Sequence, residues 1–294
     1  MPKGFSLIEI LVSISITLVI GVAVFHLFQQ NERVFHDQNL VSELQQGVRA
    51  AVSQAADEIR MAGQGVPSYA ETYDEGPSEG AVAILAGSNS TRINFRAGLA
   101  PTEAAAIAPS PVTFTVGTPV TLTVDNVTGL YNAVGGSPTG RFVYVWGTLG
   151  TSGWGWVRAS IDSIVPSTKG VRVTPAEAGP DGVLRFPAFP TISLEEAIAI
   201  YRDDITGAVR RTTATNLNDP VNPSWAPANE LVTNVTLLHF DYLDTSGNPV
   251  TPDTLANRAR IARVDIRLSA QTNQDLSNHT RPAYALSVRT VIRN

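Results

Sequence analysis

The chain has 294 residues and 43% hydrophobic side chains, enough for one large domain or two small ones with a sizeable core. It contains no Cys, which excludes disulfides, Cys-based zinc sites and thiol nucleophiles. A net charge of −5 argues against broad nucleic-acid binding, which needs many cations to displace counterions.

The first element in chain order is an apolar run over residues 5–28, opened by the stretch GFSLIEILVSISITLVIGVAVF. Its 24 residues are long enough to cross a bilayer as a helix. A secretory signal has a basic start, a moderate apolar stretch and a small-residue cleavage site behind it. Here only MPK precedes Gly4 and no A-x-A-like site follows; the chain continues in a helical pattern instead. Glu9 is out of place in a plain membrane anchor, because an acid at the bilayer centre costs roughly 2.5–3.5 kcal/mol. A cut between Gly4 and Phe5 gives it a partner. The cut creates an α-amino cation at Phe5, one helical turn before Glu9, and positions i and i+4 share a helix face. The carboxylate can then pair with that amine or with the amine of a neighbouring copy.

The stretch KGFSLIEILVSI resembles the class III signal of type IV prepilins. Lys3 is the basic residue, Gly4 precedes the cut, the aromatic Phe5 follows it, and Glu9 sits in the second turn. The resemblance implies a prepilin peptidase that cuts after Gly4 and methylates the amine of Phe5. It implies further that Glu9 helps dock the subunit into a filament. On this reading residues 1–4 are the leader and 5–28 the transmembrane half of a long N-terminal helix.

The pattern then turns amphipathic. Val41, Leu44, Val48, Ala51, Ala55, Ile59 and Ala62 recur at spacings of three and four, which predicts a one-faced helix over residues 29–64. Gly63, Gly65 and Pro67 supply a C-terminal stop. A single helix over 5–62 reaches about 87 Å at 1.5 Å per residue. Gly21 and Gly47 interrupt it, each costing on the order of 1 kcal/mol relative to Ala; at Gly47 a tolerated substitution is the simpler reading.

Residues 65–294 read as a β-rich head. Strands are predicted at 81–86, 92–96, 112–116, 119–125, 141–147, 154–161, 170–174, 183–186, 197–202, 207–212, 234–243, 260–269 and 283–293, a spacing that suggests antiparallel sheets. The polar, Pro-containing segment 213–230 reads as a long surface loop. IYRDDITGAVRR and FDYLDTSGNPVT both read as hairpins, with turns near Ile205–Gly207 and Thr245–Gly247. In RVDIRLSA, Val264, Ile266 and Leu268 point inward and Arg263, Asp265 and Arg267 outward. In YALSVRTVIRN, Tyr284, Leu286, Val288 and Ile292 share one face. DEIRMAGQG, the YRDxxG hairpin, VTLLHFDYLDTSGN, RVDIRLSA and the terminal RN resemble PilW-type minor pilins, and J-type pseudopilins of type II secretion are similar in layout. The fold expected is α+β and pilin-like: a long N-terminal helix, transmembrane in its first half, packed on an antiparallel β head.

No catalytic constellation emerges. None of His26, His36, His239 and His279 lies beside a GxSxG elbow. Asp203, Asp204, Asp241 and Asp244 sit near turns and are the carboxylates a calcium ion would use, but Asp at a turn commonly satisfies local backbone donors, and no EF-hand is present. No metal or cofactor is assigned. Arg258, Arg260, Arg263 and Arg267 read as the solvated face of a strand, with contact to DNA or a neighbouring subunit as the alternative. Tyr144, Trp146, Trp154 and Trp156 read as packing under a hairpin, with a sugar- or surface-binding patch as the alternative.

The reading is a minor pilin-like structural subunit, not an enzyme, serving type IV pilus assembly in the priming or tip complex. Alternatives are a J-type pseudopilin, a tip adhesin or DNA-uptake receptor, and a membrane-anchored enzyme. The partners implied are prepilin peptidase, other minor pilins, the major pilin and the inner membrane before assembly, with no nucleic acid. The head would face the periplasm and then reach the cell surface in the pilus.

Overall fold

The structure, a computed structural model, describes residues 7–66, 78–98, 101–134, 136–150, 153–178 and 182–292. Its first element, α1, is one helix over Leu7–Arg60. Within the apolar half, Ser13, Ser15 and Thr17 donate their hydroxyls to the carbonyls of Glu9, Leu11 and Ser13 at 2.8–2.9 Å. That bond hides a polar group where water is scarce. Side chains from Leu7 to Phe28 stand exposed, and Leu40 is the first to be buried. Beyond it Val48, Ala51, Val52, Ala55, Ala56 and Ile59 form the buried stripe. The stripe is wider than the predicted face, because it takes in Val52 and Ala56. Gly63 and Gly65, at φ 84° and 76°, end the helix in the left-handed region that glycine enters freely. At Gly47 an added Cβ would meet Val232 at 3.5 Å, an ordinary contact, so nothing there demands glycine.

Among the described residues the head holds two large cores and two small ones. After α1 the chain forms β1 (Arg92–Arg96) and then leaves this lobe. It builds β2 (Ala104–Ala108), β3 (Val112–Thr115), β4 (Val120–Val124), α2 (Thr128–Val134), β5 (Phe142–Thr148), β6 (Trp154–Val165), β7 (Gly170–Glu177), β8 (Val183–Phe186) and β9 (Thr191–Leu194). Six of these strands close into a barrel in the order β2-β4-β7-β6-β5-β9, while β3 and β8 pair separately. Its core includes Phe114, Leu122, Val143, Val145, Val157 and Phe186.

The chain then returns as β10 (Ala197–Asp203), β11 (Ala208–Asn216), β12 (Ser224–Trp225) and β13 (Asn229–Val232). β10 pairs with β1, so the barrel is an insertion between two adjacent strands of one sheet. The last elements are β14 (Val235–Leu243), α3 (Leu255–Arg260), β15 (Arg263–Gln271) and β16 (Ala283–Val291), with the sheet order β14-β15-β16. The second half of α1 lies on these two sheets and shares one core with Phe95, Ile198, Phe240, Val264 and Ile266. All strand pairs are antiparallel, as expected.

Local differences from the sequence reading have physical causes. Residues 81–86 form no strand: Ile84 makes a single bridge to Phe95, and the run is buried as filler between the lobes. β2 is alanine-rich and β9 is four residues long, so neither carries a strong strand signature. The segment 213–230, read as a loop, contains the end of β11, β12 and the start of β13. The hairpin at 200–211 forms with Asp203 opposite Ala208. The second presumed hairpin is only a tight turn closed by a Leu243–Pro249 bridge, after which the chain enters α3. Residues 260–262 therefore belong to the end of α3 and its exit, and β15 starts at Arg263.

Candidate functional site: the N-terminal helix and its seat

Gly4 and Phe5 lie outside the described residues. Glu9 is in the first turn of α1, flanked by Leu7, Ile8, Ile10 and Leu11, which are 49–78% exposed. The candidate span is apolar enough to cross a membrane, and none of it is buried by the head. This half of α1 is therefore a bare hydrophobic rod with one carboxylate near its tip. Its apolar surface needs lipid or other helices to cover it.

The other half of the rod is fixed to the head by polar ties above and below the apolar stripe. Asp37 accepts hydrogen bonds from Ser277 N (3.1 Å) and Ser277 Oγ (2.5 Å). Arg49 Nε donates to the Tyr284 hydroxyl at 3.2 Å, with its guanidinium 5.7 Å from the ring centroid. Glu58 receives Arg211 Nε through both carboxylate oxygens at 3.0 and 2.9 Å. A sequence pattern shows these residues only as polar positions off the buried stripe.

The barrel is locked to the stem lobe by a buried charge cluster that sequence reasoning missed. Glu195, in the β9–β10 connection, accepts from Arg96 Nε of β1 at 2.6 Å and from Arg158 Nε of β6 at 2.7 Å. All three side chains are at most 4% exposed. Arg96 also donates to the Val82 carbonyl and Arg158 to the Leu217 carbonyl, at 2.8 and 2.9 Å. The Arg158 guanidinium lies 3.9 Å from the Phe142 ring centroid. Beside it the Tyr144 hydroxyl donates to the Gly80 carbonyl, and burial pushes that phenol up, away from ionisation. The available signal was Arg158 inside the apolar run WGWVRA at the start of its strand.

The four aromatics divide. Tyr144 and Trp156 are buried edge to face at 6.1 Å. Trp154 is 57% exposed and leans on Trp146 at 5.8 Å. The Arg run is no free basic patch. Arg258 is buried against Glu79, Arg260 pairs with Asp244 (3.2 Å), Arg263 with Asp265 (3.2 Å) and Arg267 with Asp241 (2.8 Å). Moreover Arg258 and Arg260 lie on α3, not on a strand.

The turn carboxylates serve their own loops. Asp203 accepts from Ile205 N at 3.0 Å, and that bond first of all holds its carboxyl below the usual range. Asp204 pairs with Arg202 at 2.9 Å. Asp244 accepts from the backbone of Asn248 and Ser246, both at 2.9 Å, and these bonds with Arg260 hold it low as well. Among the described residues no group of three or more His, Asp or Glu could hold a metal ion. His239 Nε2 lies 3.1 Å from Asp241, and His26, His36 and His279 are exposed.

The sequence matches the Prokaryotic N-terminal methylation motif over residues 2–25. No characterised protein and no solved structure matches the chain. The motif implies processing by prepilin peptidase, and proteins of this kind are generally structural rather than catalytic. With the second half of the long N-terminal helix packed on an antiparallel β-rich head, the chain combines a prepilin-type N-terminal motif, which suggests membrane anchoring, with a pilin-like α+β fold.

Proposed function

We propose that the chain is a minor pilin-like subunit that takes part in type IV pilus assembly from the priming or tip complex. Prepilin peptidase cuts after Gly4 and methylates the new amine of Phe5. Glu9 then pairs with the Phe5 amine of an adjacent subunit inside the apolar bundle. The observation that carries this reading is the lone carboxylate near the tip of a bare hydrophobic half-helix. A carboxylate is costly to desolvate in such a setting, and the amine cation of an adjacent subunit offsets that cost. Other minor pilins and the major pilin are the partners. The head waits on the periplasmic side of the inner membrane and later stands at the cell surface.

Head size favours a tip or priming place over the shaft. An inserted six-stranded barrel beside the stem lobe broadens the subunit, and a subunit repeated along a shaft has to tolerate that bulk at every step. A J-type pseudopilin of a type II secretion system has the same chemistry and geometry. Subunits that co-purify with the chain decide between them. Replacing Glu9 by Ala should leave the cut intact and reduce incorporation into filaments severalfold; normal incorporation refutes the docking role.

A second reading, a tip adhesin, draws on exposed Trp154 beside Trp146. It requires that Trp154→Ala abolish surface or glycan binding while assembly persists. Uptake of DNA is disfavoured, because the Arg258–Arg267 run is neutralised by its acids.

A further inference from the structure

Just past the apolar run, α1 meets the loop that joins β15 to β16. Glu32, Arg33, His36 and Asp37 line one side of a groove of about 860 Å³, and Asp275 and His279 line the other. The loop wall is fastened in place, since Ser277 donates both its backbone N–H and its hydroxyl to Asp37. Asp275 is held by Arg281 at 2.6 Å. Glu32, Arg33, His36 and His279 have no side-chain hydrogen bond or ion pair among the described residues, whereas Arg211, Arg258, Arg260, Arg263 and Arg267 are all matched to acids.

The position of the groove is set by the helix. At 1.5 Å per residue, Glu32 and Arg33 lie about 6–8 Å beyond Phe28 and Asp37 about 14 Å beyond it. A bilayer's headgroup layer is roughly 5–8 Å thick on each side of its hydrocarbon core. Glu32 and Arg33 therefore fall within that layer, with the 275–279 wall arching over them. With Asp275 already matched by Arg281, Glu32 and Asp37 face the one guanidinium of Arg33, so a net anion is disfavoured while a group with both charges finds both counterparts.

We propose that the groove receives the headgroup of a phospholipid bearing a primary ammonium, phosphatidylethanolamine, while the chain rests in the membrane. The ammonium sits against Glu32 and the phosphate against Arg33, whose fork suits a phosphate oxygen pair. The histidine rings offer further donors to the phosphate. A choline headgroup lacks N–H donors for Glu32, and a glycerol headgroup leaves the acids facing a net anion. Occupancy would fix the height and tilt of the head over the bilayer until the subunit is extracted. The inference rests on the membrane-anchored reading.

The test is native mass spectrometry of the full chain released from micelles loaded with equal phosphatidylethanolamine, phosphatidylglycerol and phosphatidylcholine of matched acyl chains. One phosphatidylethanolamine should be retained about fivefold over the others, the scale of one or two half-exposed ion pairs. The double variant E32Q/R33Q should bring the three lipids to parity, and Asp37→Ala, which removes the acceptor for Ser277 and so frees the loop wall, should lower the preference too. Glu43→Gln, outside the groove, should leave it unchanged. Equal retention by the wild type, preference for phosphatidylglycerol, or a preference untouched by E32Q/R33Q overturns the proposal. Flotation of the chain with vesicles is read separately: its loss would refute the anchoring itself, whereas flotation without lipid preference refutes the groove alone.

Discussion

Replacing Glu195 by Gln should destabilise the head more than almost any single polar change. The carboxylate bridges two guanidinium groups at 2.6 and 2.7 Å in a seam where all three side chains are at most 4% exposed. Neutralising it strips Arg96 and Arg158 of their hydrogen-bonded counterion and leaves two buried cations with only the more distant Glu177. Breaking a buried pair in this way costs about 3–5 kcal/mol, a large share of a domain's roughly 5–15 kcal/mol. Urea unfolding of the full chain in detergent, followed by tryptophan fluorescence, measures it. Trp146, Trp154 and Trp156 report from the barrel strands and Trp225 from β12 of the other lobe. The account expects both lobes to lose stability, because the cluster joins them. A loss below about 1 kcal/mol would refute the reasoning, since it would mean the guanidinium groups find water when the acid is gone. The triple change Arg96→Met, Glu195→Leu, Arg158→Met should cost less than Glu195→Gln alone, because no charge is stranded.

Three further outcomes are expected. Arg211→Ala removes a two-oxygen contact to Glu58 that is less than 20% exposed on either side, and should cost about 1–3 kcal/mol in the same urea assay. Ile59→Ala, fully buried between α1 and the sheets, should cost roughly 2–5 kcal/mol, seen as a lower urea midpoint with unchanged slope. Asp203 and Asp244 have folded pKa values below their unfolded ones, so their contribution is present above the ordinary carboxylate range and is lost as pH falls through the lowered values. Asp244→Asn should therefore flatten the acid limb of the stability–pH profile, and an unchanged limb would contradict the assignment.

The sequence showed those features that follow a period. The apolar run reads as a helix without a polar face, and it stands exposed; the spacing from Val48 to Ala62 and the alternation in RVDIRLSA report buried faces that lie where the pattern puts them, and that in YALSVRTV a half-buried one. The YRDDITG turn was legible because Asp203 and Gly207 have local jobs there. Closure of the barrel was not legible. It depends on β2 meeting β9 some ninety residues later, and neither strand has a strong signature. The Arg96–Glu195–Arg158 cluster was hidden for the same reason: its members are ordinary charged residues until three distant elements converge. In the assembly region Glu9 stood out because a charge in an apolar helix violates a local rule. The polar ties Asp37–Ser277 and Glu58–Arg211 violate none, so only the fold reveals them.

The most direct test of the central claim is the N-terminal mass of the mature chain, purified from cells with an active prepilin peptidase. The account predicts that the chain starts at Phe5 and carries one methyl group on its α-amine. A mature chain that still begins at Met1, or one whose Phe5 amine is unmodified, would contradict it.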